Sequence, residues 1–123
     1  DMTIGNAWAR EVVVPGMNGG AYFMVRNNDT TPDRLVSVKT EVAHATELHE
    51  SIEKDGMMHM QLLADGIDIP GNSTVELKPG GLHLMLLKVK RKIAPGEKIP
   101  ATFTFETAGD IEIEFVVQPL GGY

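Results

Sequence analysis

Turn-forming pairs punctuate this chain from end to end, and they restrict its fold more than any other feature. They fall at Pro15-Gly16, Asn18-Gly19-Gly20, Asn27-Asn28-Asp29, Asp55-Gly56, Pro70-Gly71, Pro79-Gly80-Gly81, Pro95-Gly96 and Ala108-Gly109. Gly and Asn tolerate positive φ, and Pro cannot donate to a ladder, so each pair interrupts regular structure. Between them lie runs of about five to nine residues rich in Val, Ile, Thr and Phe, the spacing of an all-β sandwich or barrel. The expected strands are Ala7 to Val14, Ala21 to Arg26, Arg34 to Thr40, Thr46 to Glu53, Met58 to Leu63, Thr74 to Leu77, His83 to Val89, Ile99 to Glu106 and Ile111 to Val117. In the last run Ile111, Ile113, Phe115 and Val117 share one face, with Asp110, Glu112 and Glu114 opposite. Such alternation marks a sheet with one dry face and predicts antiparallel pairing. No segment keeps a helical period for three turns, so the chain reads as all-β.

Its 123 residues suffice for one domain with a real core, and no linker or repeat divides them. The net charge of -6, with Lys and Arg scattered among the acids, argues against nucleic acid as a partner. No apolar run is long enough for a membrane span. Cysteine is absent. Its absence excludes disulfides, thiolate nucleophiles, Cys-type zinc sites and the blue-copper thiolate ligand, and it suits an oxidising compartment. The sequence opens at Asp1 with no signal peptide, as a processed mature protein or a trimmed chain would.

Chemistry concentrates in two places. On the run that begins at His83, His83 and Met85 stand two residues apart and project from one face of the strand. The other place is a hairpin. Asp55-Gly56 is a strong signal for a type I′ turn, whose two central residues both need positive φ. That turn would pair Lys54 with Met57, Ser51 with Met60 and His49 with Leu62, leaving His49 and Met60 as diagonal neighbours on one face. A three-residue loop would instead put them on opposite faces. Imidazole with thioether suits Cu(I), because sulfur is soft and polarisable. Two Met and two neutral His carry no charge, so they leave the single positive charge of Cu(I) uncompensated. That combination favours a carrier that can release its metal. Ligand imidazoles bind only when neutral, so affinity is expected to weaken as the medium acidifies below about pH 6.

Each residue also has a plainer reading. Met60 and Met85 could be core fillers, and His49 a solvated surface imidazole. His44 and His59 have no partner at a suitable spacing and read as surface residues. Met57 and Met58 are either spare thioethers or an apolar turn.

The pattern His49-x10-Met60 followed by His83-x-Met85 resembles the signature of the periplasmic copper-chaperone family called PCuAC. Further phrases carry the resemblance over most of the chain: Gly19-Gly20-Ala21-Tyr22-Phe23 with Arg26-Asn27, Asp33-Arg34-Leu35-Val36, Glu47-Leu48-His49-Glu50, Val75-Glu76-Leu77-Lys78-Pro79-Gly80-Gly81, and His83-Leu84-Met85-Leu86. The resemblance implies a single cupredoxin-like Greek-key β-sandwich or barrel over residues 1–123. It implies Cu(I) held by His49, Met60, His83 and Met85, in a monomer that docks transiently on a copper acceptor. Delivery toward respiratory haem-copper oxidases, in particular the dinuclear centre of the second subunit, follows from the same likeness. One departure is a spacing between Met60 and His83 about one residue longer than the pattern, placed across the turns at Asp65-Gly66 and Pro70-Gly71-Asn72, where it is readily absorbed.

Three rivals stand beside this reading. An enzyme has little support: the His49-Glu50 pair lacks the second His of a zincin helix, since position 53 is Glu53, and no nucleophile elbow or phosphate loop occurs. A zinc or copper(II) site would draw on His44, His49, His59 and His83 and ignore the Met residues. A metal-free interaction module would use none of them.

Overall fold

A computed structural model describes residues 1–120 of the chain. It contains ten strands: β1 Met2–Arg10, β2 Gly19–Asn27, β3 Asp33–Lys39, β4 Ala43–Lys54, β5 Met57–Leu62, β6 Ile67–Ile69, β7 Ser73–Leu77, β8 Leu82–Val89, β9 Lys98–Phe105 and β10 Gly109–Gln118. No helix occurs among the described residues. The strands join along one path, β5-β4-β8-β2-β1-β10-β9-β3-β6, and β7 branches from β2. The branch is possible because β8 leaves the edge of β2 at Ala21 and β7 takes over that edge from Phe23.

Every pair is antiparallel except β1 with β10. Parallel neighbours need a long crossover, and here almost the whole chain serves as one. The path is not closed into a barrel, since β5 and β6 lie at its two ends. It does curl on itself. The rings of Phe23 on β2 and Phe103 on β9 lie 4.7 Å apart edge to face, although two strands separate β2 from β9 along the path. Phe103 in turn stacks on Phe115 of β10 at 5.8 Å. With Leu35, Leu84, Leu86, Leu48 and Ile99, these rings fill the space between the two halves. The alternation expected on β10 is present: Phe115 and Val117 are buried, Ile111 and Ile113 half-buried, and Asp110, Glu112 and Glu114 exposed.

Two differences from the expected strands have local causes. β1 starts at Met2 and ends at Arg10, not at Val14. A bulge at Asn6, with φ 51°, shifts the register between Gly5 and Trp8 and hides the alternation. Beyond Arg10 only Val12 keeps a bridge, to Ile93, and Val13 and Val14 are exposed. The short strand β6 was missed because three residues are too few to show a period. It is held by Ile67 and Ile69, both buried, and by the turn that follows. At Gly71 in that turn a Cβ would lie 2.1 Å from the Thr30 carbonyl oxygen, so only glycine fits the close approach.

Candidate metal centre

The hairpin forms as its turn demands. Asp55 has φ 53° and Gly56 φ 78°, and the register pairs Lys54 with Met57, Ser51 with Met60 and His49 with Leu62. His49 and Met60 therefore share a face, as expected. On its other side β4 pairs with β8, and the register sets His49 directly opposite His83 and Glu47 opposite Met85. Strand β4 thus joins the two half-sites, and Met60, His49, His83 and Met85 all stand on one face of β5-β4-β8. That face points away from the core, to which Leu48, Leu84 and Leu86 contribute from the opposite side.

His83 is only 5% exposed. Its Nδ1 lies 2.9 Å from the Gly81 carbonyl oxygen. A carbonyl can only accept, so Nδ1 carries a proton, and in the neutral ring Nε2 then keeps its lone pair. That Nε2 lies 3.2 Å from the Met60 sulfur. A neutral imidazole nitrogen without a proton and a thioether are both electron-pair donors. Their approach is what two ligands of one cation would show, since ligands roughly 2.0–2.3 Å from a shared metal stand about 3–4 Å from each other.

The ring of His49 meets that of His83 edge to face, with centroids 5.6 Å apart. Its Nε2 lies 2.8 Å from the Glu47 Oε1, and its Nδ1 is buried without a hydrogen-bond partner. Met85, half-buried, is opposite Gly20 of β2 as well as Glu47. The Tyr22 hydroxyl reaches over Gly20, lying 3.3 Å from where a Cβ would stand there. Tyr22 packs on Trp8 at 4.7 Å, and this aromatic pair borders the Met85 end of the site. At the other end Met60 stands on an edge strand whose residues are all exposed, so the site opens to solvent on that side.

The remaining histidines are not brought in. His59 pairs with Ile52 and so faces away from His49 and Met60, and His44 stands exposed at the start of β4, five residues before His49. Among the described residues no three His, Asp or Glu side chains converge on one point, as a nitrogen–oxygen zinc site would need. Met58 shares the face of Met60, whereas Met57 faces away. Glu47 stands on the same face, and its contact with His49 is a feature that the sequence reading left without a role. Its i, i+2 spacing to His49 was the available signal.

The family described as "LpqE-like: Putative lipoprotein LpqE-like" matches residues 2–117. The chain belongs to that family. It is 30% identical over 119 residues to "Putative lipoprotein Lxx21020" of Leifsonia xyli subsp. xyli, covering 97% of this chain and 70% of that protein. A second relative, "Uncharacterized protein RP573" of Rickettsia prowazekii, is 30% identical over 102 residues, which is 80% of this chain and 56% of the relative. Among solved structures, the copper-bound PCuAC domain from PmoF2 superposes with a TM-score of 0.80 at 26% identity, over 96% of this chain and 92% of that one. The solution structure of CuI-DR1885 from Deinococcus radiodurans gives 0.72 at 25% identity, over 94% and 78%. The LpqE-like family is thus the PCuAC family, one of copper-chaperone domains and not of enzymes. The expected cupredoxin-like all-β fold agrees with these PCuAC neighbours.

Proposed function

We propose that this PCuAC chain is a Cu(I) carrier whose ligands are His49, Met60, His83 and Met85. The observation that carries the reading is the 3.2 Å approach of His83 Nε2 to the Met60 sulfur, with Nδ1 of the ring held by the Gly81 carbonyl. Imidazole and thioether together select a soft monovalent ion over zinc, calcium or magnesium. The pairing of β4 with β8 lines up His49 with this couple and Met85 along the same row. The copper-bound PmoF2 domain and CuI-DR1885, on the same fold, support copper as the metal and Cu(I) as its state.

The site suits transfer more than storage. It lies at a sheet edge, with Met60 64% exposed, so an incoming ligand can reach the metal from the β5 side while the β8 ligands still hold it. We place the chain outside the cytoplasm, in the periplasm, as a single copper-carrying domain that acts as a monomer. The lipoprotein names of the family and of one relative support the location. The acceptor we propose is a respiratory oxidase, at the dinuclear centre of its second subunit.

The test is a Cu(I) competition titration on Met60→Leu plus Met85→Leu. Affinity should fall by at least about 100-fold, beyond the upper range for loss of a supporting residue alone. Unchanged affinity would sink the proposal. X-ray absorption of the loaded protein should show sulfur and nitrogen in one shell, and a shell without sulfur would favour the histidine-only alternative. For delivery, the Cu(I)-loaded chain should pass its metal to the apo copper domain of oxidase subunit II, and retention by the donor would refute that acceptor.

A further inference from the structure

We propose that Glu47 locks the proton of His49 on Nε2 and so makes Nδ1 the nitrogen through which His49 binds copper. This rests on the copper-carrier reading above and specifies which atoms of that site take part. The Glu47 carboxylate lies 2.8 Å from His49 Nε2 and, when ionised, can only accept a hydrogen bond. Nε2 must then be the protonated nitrogen, and the lone pair belongs to Nδ1. That atom is buried and has no hydrogen-bond partner in the protein. A buried acceptor left unsatisfied is unfavourable, and the cost is lifted if the atom acquires a cation.

The two histidines of the pair are therefore mirror images. His83 spends Nδ1–H on the Gly81 carbonyl and offers Nε2, whereas His49 spends Nε2–H on Glu47 and offers Nδ1. Metal-binding histidines commonly give their second nitrogen to a carboxylate or carbonyl, which sets the tautomer and raises the basicity of the ligating nitrogen. Both kinds of support occur here, one on each side of the β4–β8 pairing.

Charge gives Glu47 a second effect. Four neutral ligands leave the positive charge of Cu(I) unbalanced, and Glu47 is the carboxylate in the same row, directly opposite Met85. Its side chain is partly exposed, at 39%, so the carboxylate can remain hydrated while it holds the imidazole. No third carboxylate or imidazole joins His49 and His83 as a metal cluster among the described residues, which fits a positioning residue better than a fifth ligand.

The test uses the whole chain with 15N-labelled imidazoles at pH 7.5. Long-range 1H–15N correlation spectra are recorded before and after one equivalent of Cu(I) under anaerobic conditions. Without copper, His49 should show its proton on Nε2. On loading, Nδ1 of His49 and Nε2 of His83 should shift, while the His49 Nε2 proton stays. Glu47→Ala should mix the His49 tautomers and lower Cu(I) affinity about 10- to 100-fold, whereas Glu50→Ala, on the opposite face of β4, should do neither. Loss of the His49 Nε2 proton on loading would overturn the assignment and leave the copper site standing. So would an unchanged tautomer and affinity in Glu47→Ala. If copper shifts neither His49 nor His83, the assignment and the copper-carrier reading fall together.

Discussion

Met60 and Met57 are chemically alike and equally exposed at 64%, yet the hairpin register turns them to opposite faces. Only Met60 approaches His83. Met60→Leu should therefore weaken Cu(I) binding by about tenfold or more, and Met57→Leu should leave it unchanged, as read by the same competition titration. Equal effects would mean that thioether content and not position governs binding. A different residue-level device stabilises the fold away from the site. Asp33 accepts backbone N–H groups from Arg34 at 2.7 Å, Thr107 at 2.8 Å and Ala108 at 2.9 Å, tying β3 to the β9–β10 turn. Partial burial pushes its carboxyl upward, but the three donors outweigh that and hold it below the ordinary carboxylate value. A carboxyl lowered in the folded state contributes stability above its unfolded value, near pH 4, and loses it as pH falls through the folded value. Asp33→Asn should cost about 1 kcal/mol at pH 7, a modest figure because the site is partly solvated. The difference from wild type should vanish as the pH falls through the folded carboxyl value, below the ordinary carboxylate range, and denaturant titrations would show the two curves meeting.

At the scale of elements, the hairpin of β4 and β5 joins a well-packed strand to an exposed one. Leu48 of β4 belongs to the core, while every residue of β5 is exposed and the strand forms one end of the sheet path. With little apolar burial, β5 should open locally without global unfolding. Amide exchange on β5 should accordingly be faster than on β8, and Cu(I) bound between Met60 and His83 should slow it. An exchange rate on β5 indifferent to copper would argue that Met60 does not hold the metal. The turn matters for the same reason: Asp55-Gly56 keeps Met60 in step with Ser51. The β4–β8 pairing has the opposite character, being long and flanked by a strand on either side, and it carries the buried His83. One half of the proposed site thus stands on buried strands and the other on an exposed edge, which is the distribution a metal carrier needs for release.

For the whole molecule, stability comes from the aromatic contact between the two halves of the curled sheet. Phe103 is fully buried and touches both Phe23 and Phe115. Phe103→Ala should cost about 3–5 kcal/mol in chemical denaturation, through lost burial and the cavity left behind. The site lies on the outer face of β5-β4-β8. Cu(I) affinity of whatever fraction stays folded should therefore change little, whereas the population competent to bind should shrink. A large loss of intrinsic affinity would show that the outer face depends on core packing more closely than the layering suggests.

Local chemistry by itself determined much of this protein. Turn pairs and period-two alternation are short-range properties, so the all-β class, eight strand positions and the hairpin at Asp55-Gly56 could be read from neighbouring residues. Parity within a strand and across a two-residue turn needs no long-range contact either, which is why His83 with Met85, and His49 with Met60, could be paired from the sequence. Tertiary structure decided what joins them. The pairing of β4 with β8, the parallel neighbour of β1, the brief strand β6 and the curl that brings Phe23 onto Phe103 all depend on contacts between distant segments. Such contacts are selected by burial of the whole apolar face, which no window of sequence contains. The same pairing set His49 opposite His83 and Glu47 opposite Met85. Residue types marked the chemistry of the site, and the sheet register assembled it.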